Sequence, residues 1–330
     1  MPEPRGVLQI GAGGAGTAHM RVVSANPNSR LIAVADVAES AREAASERFA
    51  VPSYADYREL LERHAGEADI AIVVLPHDVY PDVIAAVAAT GLHILKEKPF
   101  ARNLADAQRM DATLQSHQGV YMTSGQRLFG PGYQAALELV AGGELGEIYL
   151  AEGSILYSWN PDGRNWGWRG DRDRSGGTAI LDSGWHLLEA LHAYLGQPEN
   201  VYAATGGIRA AEGDWTTDDK GVLTLNYPSG ALATAVACHV ALPNRFELLL
   251  HGTRGNVEVG THRLVRYDRT ARIETREWPE DDVMARQFEY FLACVAGEAK
   301  SACDVDVSLN VQRVVEAAYR SAAQGTPQAI

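Results

Sequence analysis

At 330 residues, with 29 Lys and Arg against 42 Asp and Glu, the chain carries a formal charge of −13. That length accommodates about two domains, and 46% hydrophobic against 22% charged residues is a globular balance. The excess of acid argues against nucleic acid and against anionic membrane surfaces as partners, because each requires a basic face.

The three cysteines, Cys238, Cys294 and Cys303, have neither metal-type spacing nor an even count, so no metal is expected and a reducing compartment fits. The N-terminus passes through Val7–Ile10 into glycines too soon for a signal peptide, and no apolar run approaches the ~18–20 residues of a bilayer span. A cytoplasmic location is the expectation.

Up to about residue 125, short β-branched runs alternate with helical patterns. Strands are expected at Val7–Ile10, Leu31–Ala35, Ile70–Leu75, His93–Leu95 and Val120–Ser124. Between them, apolar positions at three- and four-residue spacing predict helices over Ala18–Ser24, Ala38–Phe49, Tyr57–His64, Val79–Thr90 and Ala105–Gln115. This alternation reads as an α/β, doubly wound parallel sheet of Rossmann type covering residues 1–125. From Ile148 onward the pattern becomes alternating strands: Ile148–Tyr157, Val201–Ile208, Lys220–Tyr227, Ala231–Val240, Phe246–Gly252 and Gly255–Val259. Hairpin turns fall at Tyr227–Ala231 and Gly252–Asn256. Residues 126–330 therefore read as an α+β domain with an open, mostly antiparallel sheet. Its helices are expected at Ile180–Leu195, Asp282–Ala296 and Val307–Ala323, the final two open to packing back on the first domain.

Gly11-Ala12-Gly13-Gly14-Ala15-Gly16 fits G-x-G-x-x-G directly after the first strand. Such glycines let the backbone approach a pyrophosphate seated on the next helix's N-terminus. Asp36 follows the last glycine by 36 − 16 = 20 residues, where an acid takes the adenosine ribose hydroxyls. Residues 37–41 lack Arg and Lys to receive a 2′-phosphate, so NAD is favoured over NADP. His19 is read as a helix-surface or packing histidine outside the site.

Together with the Pro76 segment and Glu97-Lys98-Pro99 at the end of a strand, this glycine turn resembles the glucose-fructose oxidoreductase / inositol dehydrogenase family of NAD(P)-dependent enzymes. The second half carries a matching signature, Ser175-Gly176-Gly177-Thr178 leading to Asp182 and His186, which lie on one face if the segment is α-helical. The resemblance implies Lys98, Asp182 and His186 as catalytic and substrate-facing residues. It implies Pro76, His77, Glu97, Lys98 and Gln126 as further cofactor contacts. Departures are Thr178 where a third glycine is common, His77, Asp78 and Tyr80 in the Pro76 region, and Leu128 where arginine is usual.

Removing hydride from a secondary alcohol needs a base for the hydroxyl proton and a group that stabilises the developing alkoxide. Histidine titrates near neutrality, so His186 suits the base, although its role and that of Lys98 are interchangeable at this level. Asp182 would orient His186 or bind a neighbouring hydroxyl. The stretch Trp159–Gly177 interleaves indoles with polar donors, which suits a sugar's apolar C–H face and its hydroxyls. Tyr157, Trp166, Trp168 and Arg169 are its candidate substrate contacts, against a reading in which the tryptophans only cover the domain. His239, late in an apolar strand, is read as a satisfied core histidine. The expected activity is an NAD-dependent dehydrogenase or reductase of a sugar, cyclitol or sugar derivative. Its rivals are a silent NAD-binding regulator and a same-fold enzyme with transient hydride transfer. The exposed side of the second sheet predicts a homodimer or homotetramer.

Overall fold

The computed structural model describes residues 3–158, 167–207 and 215–330. They form two compact units, each built on its own sheet. The first comprises residues up to Ala101, Ala105–Ser124 and Met284–Asp306; the second comprises Arg102–Leu104, Gly125–Val283 and Val307–Ile330.

In the first unit, β1 (Arg5–Ile10), β2 (Ser29–Ala35), β3 (Ser53–Tyr54), β4 (Ile70–Val73), β5 (His93–Glu97) and β6 (Tyr121–Ser124) alternate with five helices. These are α1 (Gly14–Ala25), α2 (Glu39–Phe49), α3 (Tyr57–His64), α4 (Tyr80–Ala88) and α5 (Leu104–Leu114). All the strand pairs are parallel, in the order β3-β2-β1-β4-β5-β6. The strands read as continuous apolar runs because helices cover both faces: Val7, Leu8, Ile70, Ile72, Ile94 and Leu95 are all fully buried. Strand order reverses between β1 and β4, so the crevice beyond their carboxyl ends is the switch point where open α/β sheets take ligands. The two-residue β3 lies below the length at which periodicity is readable.

The second unit begins with α6 (Pro131–Ala141) and the long strand β7 (Ile148–Ser158), followed by a single-turn helix α7 (Arg172–Ser175), a π-turn over Ala179–Ser183 and α8 (Gly184–Leu195). Strands β8 (Asn200–Gly206), β9 (Lys220–Asn226), β10 (Leu232–Cys238), β11 (Val240–Gly252), β12 (Asn256–Val259), β13 (Arg263–Tyr267) and β14 (Arg272–Glu277) come next. Helices α9 (Val283–Val295, almost wholly in the first unit) and α10 (Val305–Gln324) and a short β15 (Gln328–Ala329) close the chain. The nine-stranded sheet runs β14-β13-β12-β11-β7-β10-β9-β8-β15 and is antiparallel except for the β7–β10 pair.

Over β8, β9 and β10 one side of that sheet is covered and the other is exposed. Leu223, Leu225, Ala233, Ala235 and Ala237 are buried, while Tyr202 (45% exposed), Val222 (52%) and Leu232 (49%) lie on the opposite side. α8 packs on the buried side closely enough that a Cβ at Gly153 would stand 2.3 Å from Leu187 Cδ1. A strand glycine here is the seat of a helix.

Candidate active site

In the first unit the chain leaves β1 through Gly11 at φ +95°. A Cβ there would lie 1.8 Å from the Val74 carbonyl oxygen, and one at Gly16 would lie 2.1 Å from the Gly11 carbonyl oxygen. Both glycines are therefore required by backbone meeting backbone at the switch point, and Gln9 Nε2 pins the turn by donating to Gly11 O at 2.8 Å. Gly13 and Gly14 differ, since a Cβ at either meets nothing within 4 Å and both are exposed, as is Ala15. α1 has no side-chain cap at Gly13 and no acid in its first turn, so nothing there competes with an anion for its N-terminal N–H groups.

Asp36, the residue after β2, accepts from Ala12 N at 2.7 Å and Ala38 N at 2.8 Å. The carboxylate thus braces the glycine loop from the side where a ribose would lie. Arg42, one position beyond the stretch expected to lack a cation, donates to the carbonyls of Asp36 and Val37, each at 3.0 Å. These residues fit a dinucleotide: open space over Gly13 and Gly14, uncapped helix donors and a fixed acid.

At the end of β4, Pro76 opens a short 3₁₀ turn over His77–Val79. His77 is buried and stacks on Tyr80, with ring centroids 6.2 Å apart, and the Tyr80 hydroxyl accepts from Leu75 N at 3.3 Å. At the end of β5, Lys96 is fully buried with Nζ 3.4 Å from the Tyr80 ring centroid. It donates to Glu97 O at 2.6 Å and to Pro99 O, clasping the turn that presents Lys98. Burial pushes its pKa well below the usual lysine value, the neighbouring Lys98 charge pushes the same way, and Glu97 opposes both.

Glu97 is buried, accepts from Lys98 N at 3.1 Å and from Ser124 Oγ at 3.1 Å, and faces His19 Nε2 at 3.0 Å. Gln287 Nε2 donates to Ser124 Oγ at 3.0 Å and extends the chain. Burial alone would raise the Glu97 pKa, but the His19 bond and charge, Lys98 and Ser124 outweigh it and hold the carboxyl below its ordinary value. Of the two readings of His19, helix-surface or packing, burial at 2% exposure leaves packing, and its bond to Glu97 places it in the polar chain behind Lys98. No local pattern announces this chain, whose members are far apart in sequence.

In the second unit the expected single helix over Ile180–Leu195 is two pieces, a correction with a clear cause. The Thr178 carbonyl accepts from Asp182 N at 2.9 Å and also from Ser183 N at 3.1 Å, an i+5 bond that widens the turn. Asp182 lies in that π-turn and His186 in the α-helix after it, so four-residue α spacing does not describe the pair. Both are buried, at 5% and 6% exposure.

The Asp182 carboxylate accepts from Arg169 Nε at 3.1 Å, and the Arg169 guanidinium lies 4.3 Å from the Trp168 ring centroid. Three sequence candidates are thus brought together. The Tyr157 hydroxyl bonds Ser183 Oγ, which also bonds His239 Nε2, and the Tyr157 and His239 rings lie 5.1 Å apart. His239 is 1% exposed, so it is a core histidine, with Nε2 bonded to Ser183. Gln126 sits partly buried in the 3₁₀ turn Gln126–Phe129. Trp166, the remaining candidate, lies outside the described residues.

Among the described residues, no group of three or more His, Cys, Asp or Glu is placed to hold a metal ion, and no helix is long and apolar enough to cross a membrane. Residues 5–124 match the family model described as oxidoreductase family, NAD-binding Rossmann fold, and residues 133–258 match the GFO/IDH/MocA C-terminal domain. A D-xylose 1-dehydrogenase (NADP(+)) from Haloferax volcanii is 28% identical over 94% of this chain and 96% of its own. An inositol 2-dehydrogenase from Rhizobium meliloti is 27% identical over 96% of each chain. Among solved structures, a levoglucosan dehydrogenase in complex with NADH and levoglucosan superposes with a TM-score of 0.90 at 20% identity, over 99% of this chain and 100% of that one.

Proposed function

Because the chain belongs to the GFO/IDH/MocA family of oxidoreductases, we propose that it moves hydride between a nicotinamide dinucleotide and a secondary hydroxyl, or the matching ketone, of a sugar, cyclitol or sugar derivative. The observation that carries this reading is the buried Asp182, met by Arg169 at 3.1 Å in the π-turn that runs directly into the helix of His186. A chain that only bound a nucleotide would have no use for a buried carboxylate and imidazole so placed. Relatives named for xylose, levoglucosan, glucosides and inositol support the substrate class.

The dinucleotide, when bound, supplies the hydride acceptor. The chain's own residues supply the rest. Backbone N–H groups of Gly13–Gly16 at the N-terminus of α1 hold the pyrophosphate. Asp36 takes the ribose hydroxyls and disfavours a 2′-phosphate, which favours NAD over NADP, while Arg42 beside it keeps NADP as a second reading. Pro76, His77, Glu97 and Gln126 line the nicotinamide half. Lys98 and His186 share the proton work, one taking the hydroxyl proton and the other hydrogen-bonding the reacting oxygen. Asp182 and Arg169 fix neighbouring hydroxyls, with Tyr157, Trp166 and Trp168 offering ring faces and a hydroxyl to the sugar.

The apolar sheet side at Tyr202, Val222 and Leu232 supports a homodimer or homotetramer paired through it. The test of the activity is the absorbance of reduced nicotinamide when the protein is mixed with NAD⁺ or NADP⁺ and D-xylose, levoglucosan, myo-inositol or methyl β-D-glucoside. Reduction with at least one sugar is expected. A regulator would bind NADH yet reduce nothing, and a tightly retained cofactor would absorb before any addition.

A further inference from the structure

The π-turn that carries Asp182 and runs on into the helix of His186 starts in the interior of its unit. The first four N–H groups of a helix have no intrahelical acceptor, and burying them without partners is costly. Here all four are satisfied from two residues remote in sequence. Thr178 N and Ile180 N donate to the two carboxylate oxygens of Asp218, at 3.0 and 2.9 Å. Ala179 N donates to the Asp218 main-chain carbonyl at 3.2 Å, which also accepts from the Thr178 hydroxyl. Leu181 N donates to the Tyr319 hydroxyl at 3.3 Å, and that hydroxyl donates to Asp218 Oδ1 at 3.0 Å.

The same arrangement explains the π-turn. With Thr178, Ala179 and Ile180 anchored through their amides, the Thr178 carbonyl is fixed where both Asp182 N and Ser183 N reach it. A Cβ at Gly177 would stand 1.9 Å from the Tyr319 hydroxyl, so the approach of α10 to this turn depends on glycine. Burial raises the Tyr319 pKa well above its usual value, and the Asp218 charge adds to it, which keeps the phenol protonated as a donor. Asp218 itself is 5% exposed. A carboxylate at a helix N-terminus also meets the positive end of the helix dipole, so this terminus is closed to a phosphate.

We propose that Asp218, with Tyr319 as its second, is the positioning residue that sets the π-turn of Asp182 and thereby the orientation of the Asp182 carboxylate toward substrate. This rests on the proposed role of Asp182. The test uses the full chain with Asp218→Asn, Tyr319→Phe, Asp182→Asn and the Asp182→Asn/Asp218→Asn double variant. Hydrogen exchange of the segment 178–183 is read first. Asp218→Asn is expected to speed its exchange at least tenfold while NADH affinity, titrated by fluorescence, stays within twofold. Tyr319→Phe, the milder change, should speed the same segment less.

With a sugar the wild type oxidises, Asp218→Asn should lower kcat by about 10- to 100-fold, the scale of a small misplacement of a catalytic group. The double variant should then be no slower than Asp182→Asn within twofold, since Asp218 acts through Asp182. Unchanged exchange over 178–183, or losses that multiply in the double variant, overturn the proposal. A wild type that oxidises no sugar refutes the functional reading alone, because the exchange measurement needs no substrate.

Discussion

Four glycines occupy one six-residue turn, and the structure separates them into two kinds. Gly11→Ala would put a methyl 1.8 Å from the Val74 carbonyl oxygen at a φ of +95°. Strained backbone costs about 1–3 kcal/mol and overpacking another ~1–3 kcal/mol. The sum, about 2–6 kcal/mol, is a large part of the ~5–15 kcal/mol by which folded proteins are stable. Gly13→Ala meets no protein atom within 4 Å, and its φ of −62° and ψ of −172° suit alanine. Its effect on folding should fall between neutral and a gain of about 0.4–1 kcal/mol from a stiffer unfolded chain. On the proposed reading a pyrophosphate approaches the helix N-terminus through the open space above Gly13, so the same methyl should weaken NADH binding about 10- to 100-fold, ~1.4–2.7 kcal/mol. Thermal unfolding and NADH fluorescence titration read the two effects separately. A Gly13→Ala protein that unfolds like wild type and binds NADH within twofold of it would refute the placement of the dinucleotide.

His186→Ala should keep NADH affinity and lose about 10²–10⁴ in kcat on whichever sugar is oxidised; wild-type turnover would remove His186 from the proton path. Glu97, held below its ordinary pKa, contributes stability that is present above the unfolded carboxyl value near 4.3 and lost as pH falls through the folded value. Glu97→Gln should therefore flatten the acid side of the stability curve, measured as unfolding midpoint between about pH 3 and 6. Lys96 has the opposite logic: depressed by burial, it binds fewer protons folded than unfolded, so stability should rise with pH between its folded value and about 10.4. Lys96→Met should remove that slope in unfolding measured from neutral pH to about pH 9.5, below ordinary tyrosine ionisation. Val222→Lys with Leu232→Glu should leave the sheet intact and lower the mass measured by sedimentation if these side chains pair subunits; an unchanged oligomer places the interface elsewhere.

How far the sequence alone reaches is visible in particular residues. The runs Ile70–Val73 and Ile94–Leu95 read as buried strands because burial on both faces leaves an unbroken apolar signature, and Val7–Ile10 does so with Gln9 as its one polar residue. β9 and β10 read as a hairpin because one covered face imposes alternation and Pro228-Ser229-Gly230 supplies the turn. β13 and β14 escaped because β13 (Arg-Leu-Val-Arg-Tyr) buries two adjacent residues rather than alternate ones, and β14 (Arg-Ile-Glu-Thr-Arg-Glu) has one apolar residue. At the site, contiguous motifs announce themselves: the glycine loop, Glu97-Lys98-Pro99, and the run from Ser175 to His186. What supports them does not. His19 reaches Glu97 across 78 residues, and Gln287 reaches Ser124 across 163. A polar residue buried for a partner that distant looks locally like any surface His or Gln. The clearest case is Asp182. Its place four residues before His186 is plain in the sequence, but the π-turn is not, because whether the Thr178 carbonyl takes an i+4 or also an i+5 donor depends on where Asp218 and Tyr319 hold the preceding amides. The spacing of a reactive pair is a local property of the chain, whereas the turn between the two is imposed by residues 36 and 137 positions farther on, counting 218 − 182 and 319 − 182.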